Sequence, residues 1–390
     1  MHRCYRLDVQ LRYRYRVYPT PEQQNALAQS FGCARVVFND CLRLRQDAHK
    51  AGVRISDTEV QKRVITLAKK SPERSWLAEV ASVVLVQACG DARRAYRNWF
   101  DSLSGKRKGR RVGPPRFRSR RDSLQSIRLT RNGFSIRANR RLYLAKVGEL
   151  AVRWSRELPS DPSSVTIIRD STGRYFASFV VDTDDSPMPP SDSEVGIDLG
   201  LETFAVLSDG RTISSPRFLR RAARRLRVAQ QGLSRKRVGS QNRNKQRIRV
   251  AKAHAAVADA RRDWAHKQST AIIRENQAVF VEDLCVSGMA RSRLAKSIHD
   301  AGWSMFINML EYKANRYGRA FWKVERFYPS SQICSACGVR SGRKQLSIRK
   351  WACSACHSVH DRDHNAAKNI HAAGRAEWQN ACGESVSLTA

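Results

Sequence analysis

Three carboxylates lie in settings where a charge is expensive. Asp198 sits inside the apolar run Val195-Gly196-Ile197-Asp198-Leu199-Gly200, and Glu282 follows Val279-Phe280-Val281. A charged group within such a strand is costly unless it is paired or bound to metal. Asp363, in His360-Asp361-Arg362-Asp363-His364-Asn365, falls where a helix would begin, and free backbone amides there stabilise an acid. Successive acids are 84 and 81 residues apart, so only a fold could bring them together. If it does, hard oxygen ligands suit Mg²⁺ or Mn²⁺. Two such ions about 4 Å apart can activate water and stabilise a leaving oxygen in phosphodiester hydrolysis. Simpler readings exist for each: a turn residue for Asp198, a salt-bridged strand end for Glu282, a helix cap for Asp363. Asp283 and Asp361 are the rivals within their motifs.

The second constellation is made of sulfur. Cys334 and Cys337, then Cys353 and Cys356, form two Cys-x-x-Cys pairs separated by fifteen residues, a zinc-ribbon spacing. Four thiolates complete a tetrahedral shell around Zn²⁺ and leave no open position, so the site is expected to be structural. His357, His360 and His364 are then superfluous as ligands. Cys4, Cys33, Cys41, Cys89, Cys285 and Cys382 lack paired spacing, and the helical ones read as small core residues.

The elements that must position these groups can be read from periodicity. Residues 195–215 suggest three short strands, 278–284 a fourth and 320–327 a fifth, with helices near 300–317 and from about Asp363. Residues 216–275 read as a long helical stretch rich in Arg and Lys. Its charge is nearly all of one sign and lacks the mixed pairs that support exposed helices, which suits an insertion lying along a nucleic-acid channel better than a solvated hairpin.

In the first half, residues 5–18 alternate apolar and basic side chains, as a strand with one face toward phosphate would. Thr20, Pro21 and Gln23 form a helix start with a capping box. Helical spacing then runs through Leu27, Phe31, Val36, Phe38 and Leu42, and resumes from about Trp76 to Phe100. Residues 104–121 are a basic, Gly- and Pro-containing loop. Lys106, Arg107, Lys108, Arg110, Arg111, Arg116 and Arg118, with Phe117 as a stacking face, are candidate nucleic-acid contacts. From 126 to 182 strands dominate, including a hairpin of Val165–Arg169 with Tyr175–Val181 that leads to a small barrel or sheet. The acidic, Pro/Ser-rich segment 183–193 has the composition of an unpacked linker.

Charge points the same way. With 72 Lys+Arg against 35 Asp+Glu, the chain carries +37, a self-repulsion that a polyanion would neutralise. No stretch approaches the roughly 18 apolar residues of a spanning helix, and the basic N-terminus has no apolar core of a secretory signal. A cytoplasmic protein is therefore expected, nucleoid-associated if the host is a prokaryote, with nucleic acid and no membrane as partner. A phosphate-cradling nucleotide loop and a His-Glu-x-x-His helix are both absent from the sequence, so a nucleotide-driven motor or common metalloprotease finds no support.

RVYPTPEQ, GCARVVFNDCL, GPPRFRSRR, VGIDLGLETFAVLSDG, FVEDL, PSSQICSACG, the second Cys-x-x-Cys and DRDHNAAKNI run in this order over about 360 residues. Together they resemble the TnpB family, transposon-encoded relatives of the type V CRISPR effector nucleases. The resemblance implies an α+β multidomain chain. A wedge-like β-barrel (1–20 and 101–182) would carry a helical recognition insertion (21–100). After the linker, an RNase H-like RuvC domain (194–330 and 358–375) with its own helical insertion would be interrupted by a zinc-ribbon target-nucleic-acid-binding module (331–357), leaving 376–390 as a tail. It further implies catalysis and magnesium binding by Asp198, Glu282 and Asp363, with Asp361 outside the triad. Partners would be a guide RNA from the element's end and double-stranded target DNA beside a short flanking motif, with base pairing reading the sequence. Arg349, just before the second knuckle, is a candidate assistant near the scissile phosphate, and a monomer is expected. An RNase H-like strand transferase using the same acids, or a non-catalytic RNA or DNA binder, would share the charge pattern.

Overall fold

The computed structural model describes residues 9–183, 187–289, 291, 293–345 and 347–384, the side chains of 9, 287 and 382–384 excepted. The chain divides into two compact units, Met1–Asp184 and Asp185–Ala390. Cys4, the Cys382 side chain and the first residues of the expected strand at 5–18 lie outside the described residues.

The first unit begins with β1 (Val9–Tyr18) and α1 (Pro21–Lys50). Alternation along β1 buries Tyr13, Tyr15 and Val17. The opposite face is used within the protein: Arg14 stacks over Phe176 at 3.8 Å, and Arg16 donates to the Tyr175 carbonyl oxygen at 3.0 Å. The capping box at Thr20 forms as expected, the Gln23 amide N–H donating to Oγ1 and the Gln23 side chain accepting from the Thr20 N–H. The buried stripe of α1 includes Leu27, Phe31, Val37, Phe38 and Leu42, with Val37 taking the place expected for Val36.

A short α2 (Asp57–Gln61) precedes α3 (Ser82–Leu103). The remaining strands are β2 (Gln125–Thr130), β3 (Phe134–Ile136), β4 (Leu142–Leu144), β5 (Gly148–Arg153), β6 (Ser164–Arg169) and β7 (Tyr175–Thr183). With β1 they form an antiparallel sheet in the order β2-β6-β7-β1-β5-β4-β3. Its two edges, β2 and β3, are separated in sequence only by the turn Arg131–Gly133. That short link makes the sheet nearly closed. The expected hairpin is β6–β7, with Arg169 opposite Tyr175.

The second unit carries β8 (Glu194–Leu199), β9 (Thr203–Leu207), β10 (Thr212–Ser214), β11 (Ala278–Glu282) and β12 (Ala320–Val324) in the order β10-β9-β8-β11-β12. The β8–β11 and β11–β12 pairs are parallel; β8–β9 and β9–β10 are antiparallel. The stretch expected as one helical run is two helices, α4 (Phe218–Ser234) and α5 (Gln241–Glu275). Gly239 at φ +86° and Ser240, whose hydroxyl accepts the Arg243 N–H, make the break. Arg243 also donates to the Leu233 and Lys236 carbonyls, so one of the basic residues fastens the end of α4.

The unit continues with α6 (Val286–Met289), α7 (Ala295–Ala301), α8 (Trp303–Tyr317) and α9 (Arg362–Glu384). Among the described residues no helix is long and apolar enough to cross a membrane.

Two segments make contacts that their composition does not announce. Residues 187–193 pack despite their composition: the Met188 N–H donates to the Tyr317 carbonyl, Arg319 to the Pro189 carbonyl, and the Ser191 N–H to Gln277 Oε1. Backbone polar groups met by the second unit override a sequence signal based on Pro and Ser alone. The described part of 376–390 is the last two turns of α9, where Glu377 accepts from Trp322 Nε1 at 2.8 Å and Trp378 packs near Phe280.

Candidate active site and zinc centre

The sheet of the second unit sorts its side chains by the period of two that strands impose. Val195, Ile197 and Leu199 of β8, with Val279 and Val281 of β11, join one core with Trp303, Phe306 and Leu310 of α8. Phe280 of β11 joins the opposite core, with Ile370 of α9. Gly196 and Asp198 of β8, and Phe280 and Glu282 of β11, therefore face α9. Register places Val281 opposite Ile197, so Asp198 and Glu282 stand one step further along, side by side where the two parallel strands end. Neighbouring strands run about 4.8 Å apart.

Asp363 joins them from the first turn of α9. Asp361 is occupied as a cap, its Oδ1 accepting the N–H groups of Asp363 (3.1 Å) and His364 (3.0 Å). Asp283, the other rival, pairs with Arg326 Nη2 at 2.5 Å. Both rivals thus have local work, whereas Asp198 is acted on by the charges of Glu282 and Asp363. Burial pushes the Asp198 carboxyl well above the usual carboxylate range; the charges of Glu282 and Asp363 push the same way, against Arg362 and Arg349. Burial also raises Glu282, opposed by the hydrogen bond from Ser330.

That concentration of poorly compensated negative charge is the chemistry a divalent cation satisfies, and hard carboxylate oxygens are the ligands Mg²⁺ or Mn²⁺ prefers. The donor set fits such an ion. The acids are less tightly gathered than the thiols, however. Among the described residues, the cysteines are the one group of three or more ligating side chains whose donor atoms all lie within 4.8 Å of one another.

Those sulfurs belong to Cys334, Cys337, Cys353 and Cys356. Each pair closes a similar knuckle. The Gly338 N–H donates to the Cys334 carbonyl at 2.9 Å, and the His357 N–H to the Cys353 carbonyl at 3.0 Å. Residues following the second cysteine of each pair are left-handed, Gly338 at φ +76° and His357 at φ +59°. Hydrogen bonds with Ser358 lower the Cys356 thiol to about 6 and backbone amides lower Cys353, while the crowding of neighbouring thiols pushes Cys337 up to about 12. Four converging thiols fit a closed tetrahedral Zn²⁺ shell. His360 lies on β14 (Val359–Asp361), across from Trp351 of β13 (Lys350–Ala352). Its Nε2 is 3.0 Å from Cys334 Sγ, and His364 Nε2 meets the Ser208 carbonyl oxygen at 3.1 Å.

Arg349 reaches both sides of the carboxylate end. Its Nη1 donates to Asp363 Oδ2 at 3.0 Å and its Nη2 to Glu202 Oε2, on the turn after β8. Sequence reasoning singled out Arg349 but not Glu202. It also missed Ser330, whose hydroxyl donates to Glu282 Oε1 at 2.5 Å, and Asn365 and Asn369, which hold the segment carrying Ser330. Their positions inside the PSSQIC and DRDHNAAKNI motifs were the available signal.

In the first unit, Lys106, Arg107, Lys108, Arg110, Arg111, Arg116 and Phe117 are exposed. Arg118 differs. Its guanidinium stacks on Phe38 at 3.8 Å and pairs with Asp91 at 3.7 Å, while its backbone is held by both side-chain atoms of Asn39. Arg118 thus anchors the end of the loop to α1. Cys33, Cys41 and Cys89 are buried core residues, and Cys285 is exposed.

Three family models match parts of the chain. Residues 178–293 match the IS605 OrfB family described as "Probable transposase", 303–370 match "Cas12f1-like, TNB domain", and 9–54, here β1 and α1, match a family described as "Helix-turn-helix domain". A Streptomyces pristinaespiralis protein named "Putative RNA-guided DNA endonuclease" is 41% identical over 383 residues, covering 97% of this chain and 92% of the relative. The Escherichia coli K12 protein InsQ, with the same description, is 31% identical over 391 residues, 96% and 94% of the two chains. The chain belongs to the TnpB family, the OrfB proteins of IS605-type elements. Among solved structures, a Cas12f1 chain from a Cas12f1–sgRNA–target DNA complex shares the fold, with a TM-score of 0.58 at 12% identity over 93% of this chain and 99% of that one.

Proposed function

We propose that this protein is an RNA-guided, divalent-metal-dependent DNA endonuclease whose catalytic and magnesium-binding residues are Asp198, Glu282 and Asp363. The observation that carries the reading is the side-by-side placement of Asp198 and Glu282 at the ends of adjacent parallel strands, within electrostatic reach of Asp363. In this reading the second unit is an RNase H-like RuvC domain, a fold supported by the strand order β10-β9-β8-β11-β12, in which β10, β9 and β8 are antiparallel neighbours and β8, β11 and β12 run parallel. Bound Mg²⁺ would activate water and stabilise the leaving oxygen. The chain's own residues do the rest. Asp198 and Glu282 supply oxygens from fixed strand ends, α9 delivers Asp363 from its first turn, and the Asp361 cap fixes that turn's direction.

Arg349 holds Asp363 and Glu202 together and is placed to turn toward a phosphate, so we assign it an assisting role. Zn²⁺ at Cys334, Cys337, Cys353 and Cys356 would be structural, within a ribbon at 331–357 that contacts target nucleic acid. In this reading the nearly closed sheet would belong to the wedge (1–20 and 101–182), and the helices within 21–100 would form the recognition insertion. The exposed basic residues at 106–116 with Phe117 would track phosphates of the guide RNA or of the double-stranded target DNA, leaving sequence to base pairing. The formal charge of +37 supports a polyanion of that size as partner. A monomer in a prokaryotic cytoplasm is the working state.

Purification from cells carrying the element, followed by sequencing of copurified RNA, tests the guide. One RNA species should predominate, and exchanging its terminal segment should redirect cleavage to a newly matched duplex. Cleavage indifferent to that exchange would refute guidance.

A further inference from the structure

Asn365 and Asn369 are one turn apart on α9, and both are buried. Asn365 Nδ2 donates to the Ile333 carbonyl at 2.7 Å, and its Oδ1 accepts the Ser335 N–H at 2.9 Å. Asn369 Nδ2 donates to the carbonyls of Ser330 and Ile333, each at 2.7 Å. Four hydrogen bonds therefore fasten residues 330–335, the strand of chain that enters the first cysteine knuckle, to the helix that carries Asp363. Buried carboxamides satisfied this fully specify a single arrangement, because leaving any of these groups unpaired costs about 1–3 kcal/mol. At the start of the fastened segment, Ser330 is itself buried and its hydroxyl reaches Glu282 Oε1. That hydrogen bond fixes the direction in which the Glu282 carboxylate presents its oxygens.

We propose that Ser330 and Asn369 are positioning residues that set Glu282 for cation binding and tie that setting to the folded cysteine module. The proposal rests on the reading of Asp198, Glu282 and Asp363 as a metal site. α9 is the common member. Its first turn supplies Asp363, and its next turns hold the knuckle segment whose serine orients the acid on β11. The segment entering the knuckle thereby places the serine that orients the acid. Hydrogen-bond partners of metal ligands are commonly worth 10–100-fold in metal affinity.

The test uses the purified RNA-bound protein with Fe²⁺, ascorbate and peroxide, since Fe²⁺ held in a carboxylate site cuts the polypeptide next to it whether or not the DNA is cleaved. Wild type should be cut near residues 198 and 282, and Asp198→Ala should not. Ser330→Ala and Asn369→Ala should each need about tenfold more Fe²⁺ for half-maximal cutting, with zinc content and bound RNA unchanged in Ser330→Ala. The double variant should be shifted no more than about the larger single shift, because both act through one hydrogen-bonded chain. Wild type uncut at those strands would overturn the metal-site reading. Wild type cut, with Ser330→Ala at the wild-type midpoint, would overturn the positioning role alone. Loss of zinc or RNA from Ser330→Ala would reduce that serine to a general structural part and overturn it equally.

Discussion

A Cβ built on Gly196 would stand 2.3 Å from the carbonyl oxygen of Ala367, so β8 and α9 touch backbone to backbone just before the strand reaches Asp198. The His371 amide nitrogen, at 2.5 Å, closes the other side. No side-chain rotation relieves either contact. Gly374, on the same helix, accommodates the Phe280 ring in the same way at 2.6 Å. Two glycines thereby set the depth at which α9 lies on the sheet, and hence where Asp363 stands.

Gly196→Ala should therefore force β8 and α9 apart. We expect a loss of about 1–3 kcal/mol, the range for overpacking a close-packed site, together with a drop in cleavage larger than the population of unfolded protein explains. Chemical denaturation alongside single-turnover cleavage separates the two effects.

Asp198 is destabilising without a cation, because burial and two nearby carboxylates oppose its charge. A folded-state pKa above the unfolded one contributes stability at low pH that is lost as pH rises through the folded value. Metal-free wild type should thus lose stability from about pH 4 upward relative to Asp198→Asn. At pH 7 in chelator the variant should be more stable by about 0.5–2 kcal/mol, as happens when a strained active-site group is removed. Magnesium should narrow the gap for wild type only. Thermal melts of both proteins over a pH series, with and without Mg²⁺, check this.

The two knuckles differ at one backbone position, where Gly338 is free to be left-handed and His357 is not. A non-glycine residue there costs about 1–2 kcal/mol, partly offset by the extra unfolded-state entropy of glycine. His357→Gly should be neutral or stabilising by up to about 1 kcal/mol with zinc retained. Cys353→Ser, which removes a ligand, should release the ion and unfold the module. Atomic absorption with thermal denaturation distinguishes these outcomes.

Exposed Lys106, Arg107 and Lys108 should each contribute about one unit or less to the slope of log K against log salt if they meet phosphate, whereas Arg118 should not. Triple substitution of the first three by Ala should weaken RNA binding and flatten the slope. Arg118→Ala should lower stability instead, through loss of its Phe38 stacking and Asp91 pair. Binding isotherms at several salt concentrations, with a denaturation curve for each variant, read both.

Much of the site was legible in the sequence because its signals were violations of local preference. Acids ending apolar strands at 198 and 282, and two matched cysteine pairs, have few ordinary explanations. What was hidden depends on contacts between distant segments. Glu202 gains meaning only from Arg349, and Ser330 only from Glu282, 48 positions earlier. Arg118 reads like its basic neighbours until Phe38 and Asp91 are beside it. Within the segment 183–193 expected as a linker, the hydrogen bonds of 188–191 were hidden for the same reason, since composition reports what a segment cannot bury alone and is silent about hydrogen bonds a neighbour offers. Breaking of the basic helical run at Gly239 and Ser240 was visible in residue type, but the surrounding charge masked it.

Cleavage of a guide-matched DNA duplex by the RNA-bound protein in Mg²⁺ tests the central claim most directly, comparing wild type with Asp198→Ala, Glu282→Gln and Asp363→Ala. Wild type should cut, and each variant should lose at least about 10³-fold in rate while keeping RNA and target binding, since a group on which catalysis depends removes several kcal/mol of transition-state stabilisation. Cutting at an undiminished rate by any of the three variants would contradict the account.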